Sequence, residues 1–166
     1  MEGLAFIQIT EDRLQEILDV YNYFVLNTTV SFDLEPITLE QLKTSVMNKN
    51  PRFQSFAILE ADELKGYVLV TQHKAKPAYD VTGEITIYLN PAYVNQGIGS
   101  KALHFIEDIA RKAGFHSLVA TICTENERSI YLFKKHGYSQ CAYLKEVGYK
   151  FNRWLDIVVL QKILAN

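Results

Sequence analysis

The chain has 166 residues and a formal net charge of −2 at pH 7, with nearly half its residues (48%) apolar. That length suits one domain, residues 1–166, with a sizeable core. No segment has the composition of a disordered tract, and the balanced charge supplies no basic field for nucleic acid or anionic lipid.

In chain order, Leu4 to Ile9 alternates as a short strand. Thr10 is placed to cap a helix with Glu11 and Asp12 in its first turn and Leu14, Ile17, Leu18, Tyr21 and Val25 on its apolar face. The polar, interrupted segment TTVSFDLEP reads as a loop. Thr38 and Gln41 form a capping-box pair that opens a second helix with Leu39, Leu42 and Val46. Strands follow near Ser55–Leu59 and Gly66–Thr71, joined by an acidic turn. A third runs from Glu84 to Leu89, and Asn90-Pro91 stops it. The run Val94-Asn95-Gln96-Gly97-Ile98-Gly99-Ser100 leads into a helix with Ala102, Leu103, Ile106, Ile109 and Ala110 on one side, and Gly114 ends it. Leu118–Cys123 reads as a strand buried on both faces. Asn126 caps a last helix bearing Ile130 and Phe133, and strands near Gln140–Val147 and Leu155–Lys162 close the chain. The order β-α-α-β-β-β-α-β-α-β-β predicts an α/β fold: one mixed sheet of about seven strands flanked by four helices.

The start MEGLAFIQITEDR lacks the basic region and long apolar run of a secretory signal. No stretch approaches the roughly 20 apolar residues of a membrane span. Cys123 and Cys141 lie far apart and read as reduced thiols, so a cytoplasmic setting is expected. The histidines at 73, 104, 116 and 136 are scattered, and no metal site is expected.

The most informative stretch is the strand, glycine turn and helix from Glu84 to Gly114. A strand that delivers a glycine loop onto a helix N-terminus makes an anion site, because the unpaired N–H groups of the first turn converge there and the helix dipole adds positive charge. Gly97 and Gly99 remove Cβ atoms that would keep a phosphate away. Gly97-Ile98-Gly99-Ser100-Lys101-Ala102 also satisfies G-x-G-x-x-A, the dinucleotide fingerprint. That reading needs an acidic residue about 20 positions onward, and the residues near 119 are apolar. A nucleotide P-loop is excluded, since no Gly-Lys-Ser/Thr is present. A purely structural turn stays open from the local pattern.

Four further pieces occur in order around this turn: TTVSFDLEP, then Ala78-Tyr79-Asp80 with Thr82 and Glu84, then Asn126 with Ser129, then Gly148-Tyr149-Lys150 with Trp154 and Asp156. With them the chain resembles the GCN5-related N-acetyltransferases, and within them the phosphinothricin and methionine-sulfone acetyltransferase group. The resemblance implies that acetyl-CoA is the co-substrate and that its pyrophosphate rests on the amides of Val94, Asn95, Gln96, Gly97, Ile98, Gly99 and Ser100. Its pantetheine arm is then expected along the strand edge at Tyr88 and Leu89, with Asn126 and Ser129 beside it. The family's Gln/Arg position at the head of the loop is Val94 here, so the loop depends on its backbone.

Strand alternation places Glu84, Thr86 and Tyr88 on one face. An amine nucleophile arrives protonated, so transfer needs a base, and the resemblance gives that task to Glu84 rather than leaving it a solvated strand-end carboxylate. Many family members carry a tyrosine seven residues after the Asn126 position as proton donor to the leaving thiolate. This chain has Phe133 there, and Tyr131 points roughly 200° away on a helix, so no general acid is assigned. Phe32, Glu35, Tyr79 and Lys150 match positions bordering the acceptor pocket. Lys74 and Lys76 precede Tyr79, where they either attract an acceptor carboxylate or sit solvated. Trp154 and Asp156 are expected to support the last strand and a contact between subunits of a homodimer. The expected activity is acetyl transfer to a small-molecule amine acceptor, an amino acid or amino-acid analogue, by direct attack in a ternary complex. A non-catalytic acyl-CoA-binding module is the alternative, favoured by Val94 and Phe133.

Overall fold

The computed structural model describes residues 3–165. β1 (Ala5–Gln8) is followed by a 3-10 turn (Glu11–Arg13) and helix α1 (Leu14–Asn27), then α2 (Leu39–Val46). Thr10 does not cap: its hydroxyl is taken by the Asp12 carboxylate, and the regular helix begins only at Leu14. The capping box at α2 forms as expected. Thr38 Oγ1 accepts from the Gln41 N–H at 3.2 Å, and Gln41 Oε1 accepts from the Thr38 N–H at 2.8 Å.

Strands β2 (Ser55–Glu60) and β3 (Glu63–Gln72) form a hairpin whose two turn residues, Ala61 and Asp62, both take positive φ. β4 (Thr82–Leu89), α3 (Ile98–Lys112), β5 (Ser117–Cys123) and α4 (Glu127–Lys135) come next. The chain ends in a second tight hairpin, β6 (Ser139–Lys150) and β7 (Arg153–Ile163), turned by Phe151 and Asn152, again at positive φ.

The seven strands form one sheet in the order β1-β2-β3-β4-β5-β7-β6, antiparallel except for the β4–β5 pair. Four helices flank it, so the predicted fold class holds. On one face Phe56, Ile58, Val68, Val70 and Ile85 pack against Ala102, Leu103 and Ile106 of α3. On the other Ala57, Leu59, Tyr67 and Leu69 pack against Ile17, Leu18 and Val20 of α1 and Leu42 of α2. The register pairs Tyr67 with Tyr88, Leu69 with Thr86 and Thr71 with Glu84. Glu84, Thr86 and Tyr88 therefore share the α1–α2 face.

Candidate active site

β4 and β5 pair at only three positions: Thr82 with Ser117, Gly83 with Leu118, and Glu84 with Val119. Beyond Glu84 the strands part. β4 stays on β3 as far as Leu89, while β5 stays on β7 as far as Cys123. The β5-facing edge of β4 from Ile85 onward has no strand partner, and its peptide groups remain as donors and acceptors for something other than a strand. A cleft of about 440 Å³ lies there, lined among others by Tyr88, Leu89, Val94, Asn126, Ser129 and Leu132.

At the head of the cleft the chain turns sharply into α3. Asn90 caps a 3-10 turn (Pro91–Tyr93) by accepting from the Ala92 N–H at 3.1 Å. Asn95 and Gly97 both sit in the left-handed region, with φ of 64° and 75°. Gly97 occupies the N-cap of α3 with no side-chain cap, so no side chain takes up the first-turn N–H groups at this end. Gly99 differs from the phosphate-access expectation. It is buried, and a Cβ there would stand 3.0 Å from Leu132 Cδ2, so its smallness lets α3 pass α4. Ser100 Oγ lies 2.9 Å from His136 Nε2. Asn126 caps α4, its Oδ1 accepting from the Ser129 N–H at 3.3 Å.

Glu84 stands at the fork, its side chain 27% exposed. Thr121 Oγ1 of β5 donates to its Oε1 at 3.0 Å, and His73 Nδ1 approaches its Oε2 to 3.5 Å. On the same face, a groove of about 390 Å³ runs between α1–α2 and the sheet, lined among others by Tyr21, Asp33, Gln41, Thr71, Thr86 and Tyr88. Tyr88 lines both groove and cleft. Burial, reinforced by a hydrogen bond to Asp33, pushes the Tyr21 phenol up to about 12. Burial also raises Tyr67 and Tyr88, which stack on each other with centroids 5.3 Å apart. The groove floor is thus neutral and aromatic, with Asp33 the one charged group among these lining residues.

The residues expected at the acceptor end are held by separate contacts. Phe32 lies on the backbone of Gly148, where a Cβ would come within 2.5 Å of the ring. Glu35 is exposed on the loop, and Tyr79 is exposed at the end of a 3-10 turn (Pro77–Tyr79) with its ring edge-to-face with His73. Lys150 is buried, and its Nζ donates to the Ser31 carbonyl at 2.7 Å, tying β6 to the α1–α2 loop. Burial lowers its pKa, and Asp33 opposes that. Lys74 and Lys76 are exposed, with the Lys74 ammonium 5.2 Å from the Tyr79 ring centroid. Phe133 is buried against Tyr138, while Tyr131 is 68% exposed. Nothing in the sequence links Thr121 or His73, one of four scattered histidines, to Glu84. Each joins Glu84 only through strand register, and β4–β5 pairing carries no local signal. Among the described residues, no group of three or more His, Cys, Asp or Glu side chains is placed to hold a metal, and no helix is long and apolar enough to cross a membrane.

The chain as a whole has counterparts among known proteins. The family described as an acetyltransferase (GNAT) domain matches residues 7–159. The phosphinothricin N-acetyltransferase of Streptomyces coelicolor is 30% identical, over 99% of this chain and 100% of that protein. The L-methionine sulfoximine/L-methionine sulfone acetyltransferase of Salmonella typhimurium is 29% identical over 87% of this chain and 85% of that one. Among solved structures, the ribosomal-protein-alanine N-acetyltransferase of Brucella melitensis superposes with a TM-score of 0.91 at 30% identity, covering 96% of this chain and 99% of that one. The protein yncA of Salmonella typhimurium, solved with acetyl-CoA, gives 0.92 at 26% identity, covering 98% and 95%. The family match over most of the chain and relatives aligned along nearly their whole length agree, and the chain belongs to the GNAT family of N-acetyltransferases.

Proposed function

We propose that the protein transfers the acetyl group of acetyl-CoA to the amine of a small amino acid or amino-acid analogue of the phosphinothricin or methionine-sulfone type. The observation that carries this reading is the parting of β4 from β5 immediately after Glu84. The unpartnered strand edge begins one residue after the Glu84 carboxylate, and the cleft opens along that edge at Ile87, Tyr88 and Leu89. The residues present suit acetyl-CoA: the uncapped N-terminus of α3 behind Gly97 for the pyrophosphate, and the β4 edge at Tyr88 and Leu89, with Asn126 and Ser129 opposite, for the pantetheine. Bound there, acetyl-CoA supplies an activated thioester.

Glu84 acts as the base. It takes a proton from the acceptor's ammonium group, and the nitrogen lone pair then attacks the thioester carbonyl. The C–N bond forms, the C–S bond breaks and the thiolate leaves; the nitrogen's remaining excess proton passes through water to the thiolate, and Glu84 returns its own to solvent. The unpartnered β4 edge supplies backbone donors to the carbonyl, and holding both reactants at the fork supplies the rest. The neutral groove floor with Tyr21, Thr71 and Thr86 seats the acceptor beside Glu84, and Phe32, Glu35, Tyr79 and Lys150 frame its loop side. A screen of CoA release over phosphinothricin, methionine sulfone, ordinary amino acids and polyamines tests the reading. Turnover with the amino-acid analogues supports it, and no release above background hydrolysis with any amine contradicts it.

The same reading makes the protein a cytoplasmic homodimer joined through the β6–β7 hairpin. Support comes from the exposed Tyr149 and Trp154, which pack on each other at 4.9 Å, and from two cysteines that are both free. Sedimentation velocity tests it. A dimer that Trp154→Arg dissociates is expected, and a monomeric wild-type protein overturns it.

A further inference from the structure

We propose that His73 is a positioning residue for Glu84, its Nδ1–H holding Oε2 while the Thr121 hydroxyl holds Oε1. The inference rests on the reading of Glu84 as the base.

His73 directly follows the last residue of β3, and strand alternation puts it on the face of Thr71, whose register partner is Glu84. Its Nδ1 lies 3.5 Å from Glu84 Oε2, and that nitrogen is buried without a hydrogen-bond partner. Buried ring nitrogens are almost always partnered, so an orphan 3.5 Å from a carboxylate oxygen marks a contact that a small shift of the ring completes. Apo sites often hold such contacts a few tenths of an ångström long. The imidazole is kept in place by Tyr79, edge-to-face at 5.8 Å, and Tyr79 lies under the Lys74 ammonium. A bare lone pair on Nδ1 facing Oε2 would repel it, so the proton sits on Nδ1.

The consequence is geometric. A carboxylate offers two oxygens and about four lone-pair positions. Thr121 from β5 and His73 from the end of β3 each take one position, on different oxygens. That fixes the plane of the carboxylate and leaves the remaining lone pairs for the amine proton. His73 touches neither reactant in this arrangement. It acts through Glu84.

The test is a double-mutant cycle on kcat, with acetyl-CoA and methionine sulfone as substrates. His73→Phe keeps a ring for Tyr79 and removes the donor, and His73→Asn restores an amide N–H near the Nδ1 position. His73→Phe is expected to lower kcat about ten- to a hundredfold, with His73→Asn recovering most of the loss and acetyl-CoA affinity unchanged in both. Combined with Glu84→Gln, His73→Phe is expected to add nothing. Nitrogen NMR of the ligand-free protein is expected to find the His73 proton on Nδ1, and to find it redistributed in Glu84→Gln.

Two results overturn the inference while leaving Glu84 as base: Glu84→Gln impaired with His73→Phe at wild-type kcat, or the two losses simply multiplying. If Glu84→Gln itself keeps wild-type turnover, the base reading falls and the inference with it. Should His73→Phe fail to bind acetyl-CoA, the His73→Asn kinetics and the wild-type tautomer decide.

Discussion

The Thr121 hydroxyl donates to Glu84 Oε1 at 3.0 Å, bridging β5 to β4 at the last residue pair before the two strands part. This is a side-chain bond at the mouth of the fork, where backbone pairing has just ended. Thr121 is exposed, so its removal costs the fold little. Thr121→Val is expected to lower kcat about tenfold, the worth of one hydrogen bond to a charged group, and to leave the melting temperature nearly unchanged. Steady-state kinetics beside a thermal melt check both halves.

Gly97 is the N-cap of α3 at φ 75°, with open space where a Cβ would go. The constraint there is backbone conformation alone. Gly97→Ala is expected to strain the loop by about 1 kcal/mol or more, raising the KM for acetyl-CoA several-fold while the KM for the amine stays put. Initial rates with each substrate varied in turn check the split.

His136 links the loop's helix to pH. Burial, aided by His104, Lys135 and Lys162 and opposed by Glu107, holds its pKa below the usual 6.5, and its Nε2 meets Ser100 Oγ. The folded state therefore prefers the neutral ring, and the unfolded chain takes up the proton first as pH falls. By linkage, this contribution to stability is complete above pH 6.5 and is lost as pH drops through the lower folded value. His136→Gln is expected to flatten that part of the stability curve. Urea unfolding of both proteins at a series of pH values below 7 checks it.

Most of the fold was legible because its signals are local. The Thr38–Gln41 box, the Asn126 cap and the alternation in β4 depend on neighbours within a few positions. The strand, turn and helix from β4 to α3 were legible for the same reason, being one continuous stretch. Thr10 misled because its hydroxyl found Asp12 rather than a backbone N–H. No local pattern shows that a Cβ at Gly99 would press on Leu132, more than thirty residues on. His73 and Thr121 were invisible since pairing across β3–β4 and β4–β5 is long-range. No local pattern marks the bond of Lys150 to the Ser31 carbonyl, 119 positions away.

The central claim is that Glu84 removes the proton from the amine at the fork. The most direct measurement is kcat and acetyl-CoA affinity together in Glu84→Gln, which keeps the shape of the side chain and loses its basicity. A drop in kcat of about a hundredfold or more, with acetyl-CoA bound as tightly as in the wild type, is the predicted result. A kcat within twofold of wild type would contradict the account.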